Sequence, residues 1–391
     1  MNTVIKKESA YEFLLLLITF NFCFGNFTFI SFASTLKYIY ILLLGIMILF
    51  RLSSFMAAIG KINYFLFAYI ICILISGFIN RDAHIYTHTL LNSVAHVLMV
   101  FELIFVYRYV IKNNGIEFVN KIYRNLAICY VAITDFLLLF FPYLLSGTGN
   151  LYFVGNKFSV AILHIFMVAM IYSKCIKKGT ISFTSKMLPI ILCVYSLLIS
   201  LKVDCMTGVV AIIVLVFLMI IPKAFYDSPK NILLAVCVAA SFVFIFEFFL
   251  SNAFVKSIVE NVLHRDLTLT GRTNIYLRIP QVLKNHVLFG YGYGTSYETW
   301  SSFVFFMPNS QNGIIDNIVE TGVLATFAFT LYVANGIKKF GLQSDDIKNA
   351  IVPVIMVIYI LLIVSAIEIT TGILYCSLCI LLNESYIRFI E

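Results

Sequence analysis

Residues 350–367 read Ala-Ile-Val-Pro-Val-Ile-Met-Val-Ile-Tyr-Ile-Leu-Leu-Ile-Val-Ser-Ala-Ile, eighteen positions without a charged side chain. A helix rises ~1.5 Å per residue, so a run of this length nearly matches the ~30 Å hydrocarbon slab of a bilayer. Lipid offers no hydrogen bonds, and a segment crossing it must satisfy its own backbone by being helical. Working outward from this run, apolar blocks recur at 11–32, 36–52, 63–79, 90–111, 122–145, 159–175, 187–201, 206–222, 232–250, 314–336 and 370–388. With 350–367 they make twelve. The expected fold is an all-α polytopic membrane protein of about twelve transmembrane helices.

Composition agrees. The 391 residues are 61% hydrophobic, 16% aromatic and 12% charged, whereas soluble domains run near a quarter charged. The net charge of +8 does not point to nucleic acid, because the basic residues are spread thinly between apolar blocks. With the N-terminus inside, alternate loops hold 18 Lys and Arg on the inner face and 9 on the outer, and five of those nine lie in one long loop. Long loops carry little weight in the positive-inside rule, so both termini are expected to be cytoplasmic. Lys6 and Lys7 before an apolar run with no small-residue cleavage site read as a retained signal-anchor.

Three regions follow: helices one to nine in 1–250, a long extracytoplasmic loop at 251–313, and helices ten to twelve in 314–391. The loop holds Pro280, Pro308, the only tryptophan (Trp300) and a Gly-Tyr-Gly-Tyr-Gly run. Long loops between short ones usually carry function. Most of the nine cysteines sit inside apolar blocks and read as small buried hydrophobes, Cys376 and Cys379 included. His84 and His88 are four apart but have no further ligand in their loop, so no metal is expected. Glu102, Asp135, Glu247 and Glu368 are ionisable groups within or beside apolar blocks and are functional candidates for that reason.

The densest pattern is Leu267-Thr-Leu-Thr-Gly-Arg272, then Leu288-Phe-Gly-Tyr-Gly-Tyr-Gly294, then Asn309-Ser-Gln-Asn-Gly-Ile-Ile-Asp316, then Glu320-Thr-Gly322. Arg272 offers a planar fork suited to phosphate, with Gly271 freeing the backbone beside it. Gly290, Gly292 and Gly294 permit positive φ and close approach of a ligand, and Tyr291 and Tyr293 offer rings for sugars. Asn312, Asp316 and Glu320 fall four apart and so share a helix face. The same carboxylates also suit a helix N-terminus as simple caps.

This order of motifs resembles the O-antigen polymerase/ligase family, Wzy-like polysaccharide polymerases and O-antigen ligases, over roughly residues 150–335. The resemblance implies a glycosyltransferase in the bacterial cytoplasmic (inner) membrane, with its site on the outer face under the long loop. Undecaprenyl-pyrophosphate-linked oligosaccharide is the implied substrate. Membrane lipid, a chain-length regulator and a flippase are the implied partners, and no cofactor or metal is implied. Arg272 matches the family's loop arginine, and Arg278 would support it. Where the family carries His-Asn this chain has Gln311-Asn312, and a glutamine amide takes no proton at neutral pH, which favours polymerase over ligase. The implied catalytic set is Arg272, Gln311, Asn312 and Asp316. The family's second arginine aligns with Met206 in Asp204-Cys-Met-Thr207, where Lys202 supplies a nearby charge. Gly155-Asn156-Lys157 resembles a further family loop, so Asn156, Lys157, Lys202, Arg278, Tyr291, Tyr293 and Glu320 are the implied substrate-binding residues. A ligase and a lipid-linked oligosaccharide flippase are the alternatives.

Overall fold

The structure is a computed structural model that describes the chain except residues 1, 28, 30–32, 59–61, 146–150, 177–182, 222–224, 253–256, 258–271, 305–306, 370–371 and 387–391. The Leu267–Gly271 part of the Thr-Gly-Arg motif and the side chain of Glu247 therefore lie outside the described residues. Among those described, regular structure is helical and no strand forms.

The helices in chain order are α1 Asn2–Phe24, α2 Ala33–Phe50, α3 Leu52–Ala58, α4 Tyr64–Ile79, α5 Thr89–Asn114, α6 Ile116–Phe140, α7 Lys157–Ile176, α8 Phe183–Lys202, α9 Met206–Ile220 and α10 Pro229–Ser251. They continue as α11 Arg272–Leu283, α12 Ser296–Phe303, α13 Gly313–Gly341, α14 Asp345–Val364 and α15 Ile373–Glu384. Every apolar block of the sequence contains a helix. Five are long and apolar enough to cross a membrane (α5, α6, α7, α13, α14), and a sixth if α2 and α3, bent by 90° at Arg51, form one span. Six more helices contribute shorter apolar stretches among the described residues. Met206–Ile220, with 15 residues, rises only about 22 Å. The chain is thus an all-helical, polytopic membrane protein with at least five helices of spanning length.

The 251–313 region is not a plain loop, since it contributes α11 and α12. α14 is the central helix: every side chain from Ala350 to Leu362 is buried, and it packs against α7, α9, α10, α13 and α15. α13 lies against α4 and α10, and α5 against α4 and α15. At one end of this bundle the segments after α4, α10 and α14 meet. Asn80 Nδ2 donates to the Gly290 carbonyl at 3.1 Å, Ile85 N–H to Glu298 Oε1 at 2.7 Å, and Gly313 N–H to the Ser365 carbonyl at 2.8 Å. Toward the opposite ends of α5 and α15, Arg108 and Glu384 form a buried ion pair.

Candidate functional site

α13 is two helices joined at Gly322, whose φ of 84° and ψ of 167° break the run. A break leaves carbonyls before it and N–H groups after it without helical partners. The glycine turn supplies them. Tyr291 N–H donates to the Val319 carbonyl at 2.8 Å, Gly292 N–H to Glu320 at 2.9 Å, and Val323 N–H to Val287 at 2.8 Å. Ser76 Oγ on α4 also donates to the carbonyls of Phe289 and Glu320. The contact is backbone on backbone, and a Cβ added to Gly290 would lie 2.6 Å from the Val319 oxygen. Gly290, Gly292 and Gly294 do adopt positive φ, at 66°, 107° and 83°. What Gly290 approaches, however, is the broken helix.

Between this turn, α5, α13 and the start of α15 lies a cavity of about 220 Å³. Asp316, Asn317 and Glu320 line it together with Tyr69, His96, Tyr293, Thr326, Phe329, Thr330, Tyr375 and Cys376. Asp316, 6% exposed, accepts through Oδ1 from Ser296 Oγ (2.6 Å), Ser310 N–H (3.1 Å) and Trp300 Nε1 (3.2 Å). Glu320 Oε1 accepts from Ser296 N–H at 3.3 Å. The His96 ring stacks on Tyr293 at 4.2 Å between centroids, and its Nε2 lies 3.0 Å from the Tyr69 hydroxyl.

A second cluster surrounds Arg272. Its Nε is buried with no hydrogen-bond partner among the described residues. One turn on, Tyr276 donates to the Gln311 carbonyl at 3.4 Å. Burial pushes the Tyr276 hydroxyl up to about 12, a rise opposed by the Arg272 charge and reinforced by Glu368. Glu368, in the segment after α14, acts on Tyr276, while Ile369 and Gly372 of the same stretch line the carboxylate cavity.

Comparison with protein families, curated proteins and solved structures returned no match.

The structure sorts the sequence-derived candidates. Asp316, Glu320 and Tyr293 meet in the cavity, and Arg272 and Gln311 meet through Tyr276. Asn312 is the N-cap of α13, accepting from Ile314 and Ile315 N–H at 3.1 and 3.0 Å and donating to the Ala239 and Ala366 carbonyls. That commits its side chain to holding helices together rather than to a reacting group. Gln311 adopts φ 54°, and its Nε2 donates to Asn309 Oδ1 at 3.0 Å. His286 stacks on one face of the Tyr291 ring at 3.8 Å between centroids, and the Tyr291 hydroxyl donates to the Val282 carbonyl. Asn156 caps α7 through Ser159 N–H at 2.9 Å, and Lys157 Nζ donates to the Asp204 carbonyl at 2.8 Å. Lys202 is exposed at the end of α8, and Arg278 is exposed with Nη1 on Gln281 Oε1 at 2.8 Å.

Sequence reading missed His96, Tyr69 and Asn317, as well as Ser296 and Trp300 as the donors that fix Asp316. It flagged Asp135 but not the groups that meet it: the Tyr195 hydroxyl donates to Asp135 Oδ2 at 2.6 Å, and His164 Nε2 lies 3.2 Å away. A histidine inside an apolar block was the available signal for both His96 and His164. Glu102 is also buried, with Oε2 unpartnered among the described residues. Among the same residues no His, Cys, Asp and Glu group could hold a metal ion.

Proposed function

We propose that this protein is a polysaccharide polymerase, of O-antigen or capsule, joining undecaprenyl-pyrophosphate-linked oligosaccharide repeat units at the outer face of the bacterial cytoplasmic membrane. In this reading twelve spans cross the bilayer, the shorter helices being completed by flanking residues. Both termini are cytoplasmic, and α11, α12 and the cavity roof lie outside.

The observation that carries the reading is Arg272. A buried guanidinium nitrogen without a partner is costly unless an anion completes it. In a chain whose motifs resemble those polymerases, the anion is the pyrophosphate of the carrier lipid. When the glycan leaves its carrier, negative charge develops on the pyrophosphate, and a cation already in place lowers that barrier without reorganising. Tyr276 and Gln311 border the same spot, while Arg278 and Lys202 add exposed positive charge that draws an anionic lipid headgroup. A ligase is the weaker alternative, because Gln311 offers no proton-accepting nitrogen.

One observation favours a second reading as a transporter of the same lipid-linked glycan: α13 is discontinuous beside a carboxylate-lined cavity, a pattern found in transporters. Against it, the backbone groups freed at Gly322 are bonded to the glycine turn, which pins the break.

Replacing Arg272 with Ala in the native host separates these readings. A polymerase predicts loss of long chains and accumulation of single repeat units outside. Unchanged long chains would overturn the role of Arg272. Repeat units held on the cytoplasmic face would indicate the transporter, and long chains left on the carrier would indicate the ligase.

A further inference from the structure

The cavity under the glycine turn is opposite in character to the Arg272 cluster. Among the described residues two carboxylates line it, Asp316 and Glu320, and no Lys or Arg does. A pyrophosphate placed there would meet carboxylates rather than a cation, so the leaving group belongs beside Arg272. What suits carboxylate oxygens is a donor of hydrogen bonds. The rings of Tyr293, Phe329 and Tyr375 among the same walls add apolar faces. Hydroxyl donors on an otherwise carbon-hydrogen ring describe a sugar.

A separate observation also points to a ligand. His96 lines the cavity and is only 5% exposed, and with Nε2 engaged by Tyr69 its Nδ1 has no partner among the described residues. An unsatisfied buried nitrogen costs free energy that a bound hydroxyl recovers. The two carboxylates also differ in what they leave open. Three donors commit Asp316 Oδ1 to holding α12 and the Ser310 turn in place. Among the described residues the Glu320 carboxylate is met by backbone N–H groups alone, those of Gly294 and of Ser296 at 3.3 Å, and the Gly292 N–H on its carbonyl fixes its backbone.

Resting on the polymerase reading, we propose that this cavity is the acceptor subsite and that Glu320 is the catalytic residue that takes the proton of the attacking hydroxyl. As the acceptor oxygen bonds to the anomeric carbon of the donor, the bond from that carbon to the pyrophosphate oxygen breaks. The electron pair leaves with the pyrophosphate beside Arg272, and the hydroxyl proton ends on the Glu320 carboxylate. This gives the base that Gln311 cannot supply.

The test uses the full-length protein in nanodiscs of phosphatidylethanolamine and phosphatidylglycerol, supplied with lipid-linked repeat units from the host. Elongation is followed against pH for wild type, Glu320→Gln and Glu320→Asp. Loss of a general base predicts that Glu320→Gln lowers kcat by about 100-fold or more with little change in KM. The fall in rate at acid pH seen in wild type disappears from its residual activity, and Glu320→Asp retains part of the rate with a displaced acid limb. A Glu320→Gln rate equal to wild type, or a lowered rate with the acid limb intact, overturns the proposal. If Glu320→Gln does not yield monodisperse protein, Glu320→Asp decides: an unchanged kcat and acid limb overturns it. Absence of elongation by wild type itself removes the polymerase reading and this proposal together, whereas the variant outcomes remove the proposal alone.

Discussion

The carbonyl of Leu288 occupies the space where a side chain at Gly322 would stand. Two segments 34 positions apart are therefore fitted backbone to backbone at the break in α13. This contact joins the glycine turn to the helix bearing both cavity carboxylates, and the sharpest stability expectations follow from it.

Gly322→Ala must place a Cβ at φ 84° and against the Leu288 carbonyl. Left-handed strain and overpacking together cost roughly 2–4 kcal/mol. Thermal unfolding in detergent reads this as a clear drop in midpoint. A variant as stable as wild type would mean that the turn does not seat in the break.

Asn312→Ala removes a buried N-cap whose amide also ties α13 to α10 and to the end of α14. A cap alone is worth ~1 kcal/mol, and stranding two buried carbonyls raises the loss to roughly 2–4 kcal/mol. Asn312→Asp keeps the cap acceptor but not the donors, so its unfolding midpoint should fall between the two. Equal midpoints for Ala and Asp would show that the cap acceptor contributes nothing, and an Asp midpoint equal to wild type would show the same of the donor half.

Glu298 carries the pH expectation. Burial works to raise its carboxyl, but the Ile85 N–H, the Thr87 hydroxyl, the Tyr86 N–H and the nearby His84 outweigh it and hold the carboxyl below its usual range. A depressed carboxyl lends stability that is complete above the unfolded value, ~4.3 for Glu, and is lost as pH falls through the lower folded one. Hydrogen exchange of the Ile85 and Tyr86 amides should therefore quicken in acid below about pH 4, beyond the intrinsic pH dependence. In Glu298→Gln that acid-dependent loss of protection should vanish. Protection that stays constant into acid in wild type would refute the contact.

The Asp135, His164 and Tyr195 contact joins α6, α7 and α8 inside the bundle. Removing one partner of a buried charge-bearing pair costs ~3–5 kcal/mol, so Asp135→Ala should be severe. Tyr195→Phe removes one intramembrane hydrogen bond, for which measured values average ~0.6 kcal/mol. Unfolding in mixed micelles should rank the variants in that order, and a Tyr195→Phe loss equal to that of Asp135→Ala would show that the hydroxyl is the main contributor.

Some of this was readable from composition and order alone. Apolar runs such as 350–367 must be helical and lipid-facing or buried, because burying an unpaired backbone costs more than any alternative gains. Helices duly occupy all twelve blocks. The spacing of Asp316 and Glu320 put them on one face because helical period is local. Positive φ at Gly290, Gly292 and Gly294 was likewise legible, since only glycine meets little steric penalty there.

What those residues meet was not legible. Local sequence does not say that the glycine turn mates with a helix break, that Asn312 spends its amide on two other segments, or that His286 covers Tyr291. It does not bring His96 from α5 to Tyr293, or the Tyr276 hydroxyl to the Gln311 carbonyl. Pairings of that kind depend on which surfaces come together when distant helices pack, and the sequence periodicity of one helix carries no record of its partner. Helix, face and turn were therefore fixed by the chain's local chemistry, and the gathering of Asp316, Glu320, His96 and Tyr293 around one cavity by long-range packing.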